Sequence, residues 1–230
     1  MKSQAPSGQV RVGVVVRPLL PHEKEQGAEN CVKVVNGKKV TFTHHPGNIT
    51  GIATSSIPQF DYDRAFAAAG TSQHKSIYNG LIAPLVDNVF EGYSATVFAY
   101  GQTGSGKTFV MGNGSGGNNT EGIIPSTVKG IFEKKSELET TGSIVTLDMS
   151  YLEIYKEECF DLLAEVVGGG NNTGGGDSSR NRLEMRDNTR GETVIEGLCS
   201  VTVTSEDDVH RLLELAAAAR STSKTAMNAR

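Results

Sequence analysis

No run of apolar residues in this 230-residue sequence approaches the ~20 positions that a membrane-spanning helix requires, so no membrane partner is expected. Residues 1–9 are polar and lack the apolar core of a secretory signal. A disordered N-terminus and an intracellular protein are the expectation. Cysteine is scarce and odd in number: Cys31, Cys159 and Cys199 lie far apart. A disulfide framework needs pairs, and a zinc site needs a CxxC or nearby histidines, so three unpaired thiols are expected. The histidines, His22, His44, His45, His74 and His210, share no metal-ligand spacing. Excess positive charge is missing too. The 22 Lys and Arg against 26 Asp and Glu leave a net charge of −4, which argues against a broad nucleic-acid surface.

What the sequence does have is interleaved strand and helix patterning. Val10 to Val16 is nearly all valine and reads as a strand buried on both faces, ended by Arg17-Pro18. Cys31–Val35 and Lys39–Thr43 flank Asn36-Gly37, a hairpin signal. Thr71 or Ser72 caps a helix predicted to run to about Glu91, with Gly92 as its stop and Pro84 as a kink. Thr96 to Tyr100 reads as a short buried strand, with Tyr93 and Tyr100 as packing residues. Pro125 opens a helix to about Leu138. Ile144 to Tyr155 reads as one long strand, and Arg182 to Val203 as short strands joined at Asp187 to Gly191. Ser205-Glu206-Asp207-Asp208 resembles a capping box before a helix through Ala219, followed by a polar tail. Residues 43–59, 112–119 and 168–176 read as loops or flexible insertions. A mixed sheet with helices on both faces follows as the natural architecture.

One segment carries chemistry: Gly101-Gln102-Thr103-Gly104-Ser105-Gly106-Lys107-Thr108 matches the phosphate-binding P-loop pattern. A triphosphate needs many converging donors. Glycines let backbone N–H groups point inward, and the following helix adds its own free N–H groups. Lys107 supplies a cation for the β and γ phosphates, and Thr108 a hydroxyl for Mg²⁺. A dinucleotide GxGxxG reading fails, because Lys-Thr is the phosphate signature and no acidic ribose partner stands out downstream.

Val97-Phe98-Ala99-Tyr100-Gly101-Gln102-Thr103-Gly104-Ser105-Gly106-Lys107-Thr108 resembles the kinesin motor-domain P-loop with its leading strand. The flanks agree in order. Arg17-Pro18-Leu19 is similar to the end of the family's adenine motif RxRP. Phe60 to Phe66, Glu91 to Thr96 and Gly122 to Pro125 resemble FxFDxVF, EGYNAT and GIIP. Ser150 to Tyr155 with Asp161-Leu162-Leu163 resembles SYxEIYxExxxDLL. The likeness spans about residues 10–230 and is strongest to the chromokinesin class, plant members especially.

The resemblance implies a P-loop NTPase of the kinesin-motor fold: an α/β domain with a mixed, mainly β central sheet. It implies an ATP-driven microtubule motor with Mg-ATP in Gly101 to Thr108 and the adenine flanked by Arg17, Pro18 and Phe109. Microtubules are the implied partner, in the cytoplasm on the microtubule cytoskeleton. Arg186 and Arg190 fall where the family has a microtubule-contacting loop, although a solvated hairpin tip is an equal reading; Lys156 offsets Glu158 nearby. The first Arg of RxRP is Val15 here, and a valine cannot make that arginine's approach to the adenine. Asn228 resembles the first residue of the switch motif NxxSSRSH, so a C-terminally incomplete motor domain without both switches is expected. A homodimer would form through a coiled coil outside these residues. The alternative is a non-motor kinesin-like protein that binds nucleotide and microtubules without catalysis.

Overall fold

The computed structural model describes residues 10–43, 58–67, 72–112, 121–164, 166–167 and 182–228. The expected disordered N-terminus, His44-His45, most of the 43–59 and 112–119 loops, and the 168–176 insertion lie outside them. The chain divides into two compact units, residues 1–112 with 120–130, and residues 113–119 with 131–230.

In the first unit the valine run gives β1 (Gly13–Val16), shorter than predicted and half-buried, with Val10 and Val12 exposed. It pairs in parallel with β5 (Arg64–Ala67), Val14 against Ala65. Burial on both faces needs cover on both faces, and among the described strands only β5 lies beside β1. The short helix α1 (Pro21–Glu25) comes next. β2 (Val32–Val35) and β3 (Lys39–Phe42) form the predicted hairpin, with Asn36 and Gly37 both at positive φ, and β4 (Gln59–Asp61) adds to β3.

The predicted 72–91 helix is built in three parts: α2 (Ser72–Ile77), a π-helical segment Tyr78–Ile82, and α3 (Ala83–Phe90). The Ala83 N–H bonds Tyr78 O, five residues back, just ahead of Pro84, which has no N–H to continue the ladder. Gly92 is the stop, as expected. Its N–H reaches Val89 O at 3.0 Å and the Tyr93 N–H reaches Asn88 O at 3.0 Å, a Schellman closure. α4 (Lys107–Met111) follows the glycine loop, and α5 (Ile123–Thr140) carries Pro125 in its first turn, where a missing N–H is harmless. The core of this unit gathers Ile77, Ile82 and Ile123 with Val15, Phe66, Val110 and Met111.

Thr96 to Tyr100 is not a strand. Residues 93–100 are irregular, Phe98 is 74% and Tyr100 94% exposed, and Tyr93 is exposed as well. An apolar run becomes a buried strand only where another segment supplies the ladder, and none of the described strands does.

In the second unit the expected long strand is broken at Ser150-Tyr151 into β6 (Leu147–Met149) and β7 (Leu152–Tyr155). Each half has a different partner: β6 pairs with β11 (Val201–Val203), and β7 with β8 (Glu158–Asp161). The predicted alternation holds, with Val145, Leu147, Met149 and Tyr151 half-buried and Thr146, Asp148 and Ser150 exposed. β9 (Arg182–Asp187) and β10 (Thr193–Glu196) complete a four-stranded ladder in the order β10-β9-β8-β7.

The capping box is present. Asp208 N–H bonds Ser205 Oγ at 3.1 Å and Ser205 N–H bonds Asp208 Oδ2 at 3.0 Å. The Thr204 N–H, then its hydroxyl, and after them Ser205 hold the Asp208 carboxyl below its ordinary range. The helix α6 (Glu206–Asn228) continues past Ala219 through the supposed tail, because no Gly or Pro interrupts it. Leu163, fully buried, packs with Leu162 and Ala216 at this unit's centre. Among the described residues, no helix is long and apolar enough to cross a membrane.

Candidate nucleotide site

Two backbone features shape the loop 101–108. Gly104 and Gly106 sit at φ 81° and 96°, which only glycine adopts freely, and both face open space. Gly101 stands so close to Ser105 that an added Cβ would lie 2.5 Å from its Oγ. Ser105 N–H closes the turn on Gln102 O at 3.1 Å. Gly106 then caps α4, which starts at Lys107 and stops at Gly112. The Lys107 ammonium lies across the loop, donating to Gly101 O and Gln102 O, each at 2.8 Å. Thr108, in the first turn of α4, is exposed. A left-handed glycine turn, a cation over it and a hydroxyl at the helix start are the parts that bind a polyphosphate with its metal.

The strand β1, which leads into Arg17, and the helix bearing Phe109 meet in one core, since Val15, Val110 and Met111 all pack against the Ile77, Ile82 and Ile123 cluster. Val15, where the RxRP pattern has its first arginine, thus packs partly buried against this core. The Arg17 guanidinium is engaged by Glu23, at 2.7 and 2.5 Å, and also donates to Pro18 O. Glu23 in addition accepts the Leu20 N–H at 2.7 Å. Arg17, then that N–H, hold the Glu23 carboxyl down to about 2. Pro18 and Phe109 are exposed.

Sequence reasoning missed His74. Its imidazole is 4% exposed and lies on the Phe109 ring, centroids 4.9 Å apart. The contact joins residues far apart in sequence and has no local signature.

The other candidates belong to the second unit. The β7–β8 and β8–β9 registers put the 156–157 and 188–191 turns at the same end of the four-stranded ladder, so Lys156, Arg186 and Arg190 share that end. Arg186 is held by Glu184 at 2.6 Å and Glu196 at 3.6 Å; the Glu184 bond first, then the Glu196 charge, push its pKa up. Arg190 lies in the β9–β10 turn, its N–H on Asn188 Oδ1. Lys156 lies over the Tyr155 ring at 5.4 Å. Glu158 pairs with Arg182 at 3.1 Å.

A sequence profile of the kinesin motor domain matches residues 15–230. The chain belongs to the kinesin motor-domain family. It is 35% identical over 228 residues to the kinesin-like protein KIN-4A of Oryza sativa subsp. japonica, covering 95% of this chain and 21% of that protein. It is 37% identical over 226 residues to KIF7 of Homo sapiens, covering 95% of this chain and 15% of that one. The kinesin likeness to plant members, expected from the motifs, is borne out. A solved structure of KIF14 residues 391–772, a dimer in the two-heads-bound state with AMP-PNP on a microtubule, superposes with a TM-score of 0.73. It is 33% identical and is matched over 91% of this chain and 54% of its own. The kinesin-motor fold is thereby established, and the chain spans about a fifth of the length of the KIN-4A relative.

Proposed function

We propose that this chain is the part of an ATP-driven microtubule motor that holds Mg-ATP. The observation that carries the reading is the loop itself: left-handed glycines at 104 and 106, with the Lys107 ammonium 2.8 Å from two loop carbonyls. Lys107 exchanges those carbonyls for phosphate oxygens. The free N–H groups at the start of α4 add their partial positive charge. Thr108 holds Mg²⁺ together with the phosphates; among the described residues no group of three His, Cys, Asp or Glu side chains forms a metal cage. Phe109 flanks the adenine, and Arg17-Pro18 lines its other side. The KIF14 relative holds a nucleotide analogue on a microtubule, which supports the same pairing of ligand and track here. Lys156, Arg186 and Arg190, at one end of a ladder, are the proposed contacts to tubulin's acidic surface.

Phosphoryl transfer also needs an oriented water and stabilised charge at the γ-phosphate, which a P-loop alone does not supply. Residues 1–230 therefore bind Mg-ATP without microtubule-stimulated turnover. Calorimetric titration with Mg-ATP and a steady-state ATPase assay with and without microtubules test both halves. Binding without stimulation is expected. No binding refutes the site, and robust stimulation refutes the separation of binding from turnover.

A further inference from the structure

His74 has an environment that nothing in the phosphate loop explains. It is 4% exposed, yet among the described residues neither ring nitrogen has a hydrogen-bond partner. Gln73 beside it is 7% exposed with its amide nitrogen equally unpaired. Buried polar atoms without partners are uncommon and costly, so the ring is held there by something else. Two contacts are available. One face lies tilted at 46° on Phe109, the residue that follows Thr108. The Nδ1 lies 3.8 Å from Glu121 Oε2, within ion-pair reach but beyond hydrogen bonding. The Glu121 backbone lies close against Gly112, the residue ending the P-loop helix: a Cβ there would meet Glu121 O at 2.5 Å. The carboxylate, the imidazole and the Phe109 ring thus lie in one chain of contacts running from the end of α4 back to its first turn.

We infer that His74 is a positioning residue for the nucleotide base: its imidazole, aligned by Glu121, fixes the Phe109 ring that flanks the purine, while the phosphates are held independently by the loop. The inference rests on the nucleotide reading proposed above and extends it to base recognition. An exposed phenyl ring free to rotate loses conformational freedom when a base stacks on it; a ring already fixed by a buried neighbour loses less. Phe109 is more than half exposed, so His74 is the aromatic neighbour that the described residues give it.

The experiment separates base from phosphate. The whole chain is titrated calorimetrically with Mg-ATP and with magnesium tripolyphosphate, which carries the charge without the base. His74→Ala should weaken Mg-ATP binding about five- to tenfold, the worth of one aromatic pair, and leave tripolyphosphate affinity within about twofold. His74→Phe, which keeps the stack, should recover most of the loss. Glu121→Gln, at a half-exposed site that leaves the core alone, should show a smaller loss confined to ATP. If His74→Ala weakens both ligands equally, or His74→Phe is as poor as His74→Ala, the positioning role is overturned while the phosphate site stands. If the unmodified chain binds tripolyphosphate as tightly as Mg-ATP, the inference falls together with the adenine contacts of Phe109 and Arg17-Pro18, while the phosphate site stands. If it binds neither, the nucleotide reading falls and takes this one with it.

Discussion

At Asp161 three backbone N–H groups close on a carboxylate that the chain itself supplies; at Gly101–Thr108 the chain supplies a glycine turn and a cation, but no anion. Asp161 Oδ1 accepts from Leu163 and Ala164 at 2.8 and 3.0 Å, and Oδ2 from Cys199 at 2.6 Å. The side chain is 4% exposed and sits against the packed Leu162–Leu163 cluster, which explains why an acidic residue opens the Asp161-Leu162-Leu163 segment. Burial, then the Asp161 charge, raise the pKa of the neighbouring Cys199 thiol, so this cysteine stays an unreactive packing group. The phosphate loop inverts each of these terms. Gly104 and Gly106 face open space, and its lysine donates to carbonyls that a ligand can replace. Donors satisfied from within give stability; donors left for a visitor give binding.

Substituting the internal anion should give the larger effect. Asp161→Ala leaves two buried donors and one half-buried donor unpaired at roughly 1–3 kcal/mol each, so after partial relaxation a loss of about 4 kcal/mol is expected in urea unfolding. Asp161→Asn keeps one acceptor oxygen and should lose about half as much. A loss under about 1 kcal/mol in the alanine variant would show that water replaces the carboxylate and that the site is not closed. The matching change in the loop is Lys107→Ala. It should leave unfolding within about 0.5 kcal/mol, because the lysine bonds only to carbonyls that water reaches. Mg-ATP affinity should fall about 100-fold, near 2.7 kcal/mol, as a charge-assisted bond to phosphate is removed. Unchanged affinity by calorimetry would remove Lys107 from the site and dissolve the contrast.

A smaller effect separates the two hairpins. Asn36-Gly37 and Lys156-Glu157 both place two residues at positive φ, at 52° and 63° in the first and 49° and 64° in the second. The first uses the residues that tolerate this conformation. The second uses a lysine and a glutamate, which adopt it at a penalty of about 1 kcal/mol each. Replacing Lys156-Glu157 by Asn-Gly should therefore raise stability by about 1 kcal/mol, after the flexible glycine's entropy is counted, with a measurable rise in Tm. It would also remove a candidate tubulin contact, so microtubule cosedimentation of the same variant reads the function of Lys156 separately. Destabilisation would mean that the Lys156 contact with Tyr155 holds the turn.

The two hairpins also mark what can be read without the structure. Asn-Gly announces its own turn, so β2–β3 is legible; Lys-Glu announces nothing, so β7–β8 is not; Ser150-Tyr151 carries no turn signal either, so Ile144 to Tyr155 reads as continuous. The phosphate loop is legible for the first reason: glycine spacing, Lys107 and Thr108 are local, and their geometry follows from φ alone. Thr96 to Tyr100 misleads because apolar composition says what could be buried, whereas a ladder depends on distant segments. His74 on Phe109 and Asp161 on the Cys199 N–H are likewise pairs that only the fold brings together. Glu23 stands between these cases, since an acidic third residue after a helix entry with Pro21 at its start is a local capping signal, while its grip on Arg17 is not.

That glutamate gives the mildest form of the same contrast. Glu23 is a carboxylate supplied from within, like Asp161, but it lies at the surface, with one backbone donor, Leu20 N–H, and one guanidinium. Arg17 and then Leu20 lower its pKa from the ordinary 4.5 to about 2. A carboxyl depressed in the folded state favours folding above its unfolded value, and that contribution is lost as pH falls through the folded value. The α1 entry should therefore hold its full support above about pH 4.5 and lose it progressively toward pH 2. Carboxyl chemical shifts followed through an acid titration should show Glu23 as one of the last side chains to protonate. Arg17→Met should bring its midpoint back toward 4.5, leaving only the smaller depression from the Leu20 N–H. A Glu23 that titrates near 4.5 in the unmodified chain would mean that solvent breaks the pair. Arg17 would then line the adenine without restraint from the neighbouring helix α1, and the surface site would belong with the open phosphate loop, not with closed Asp161.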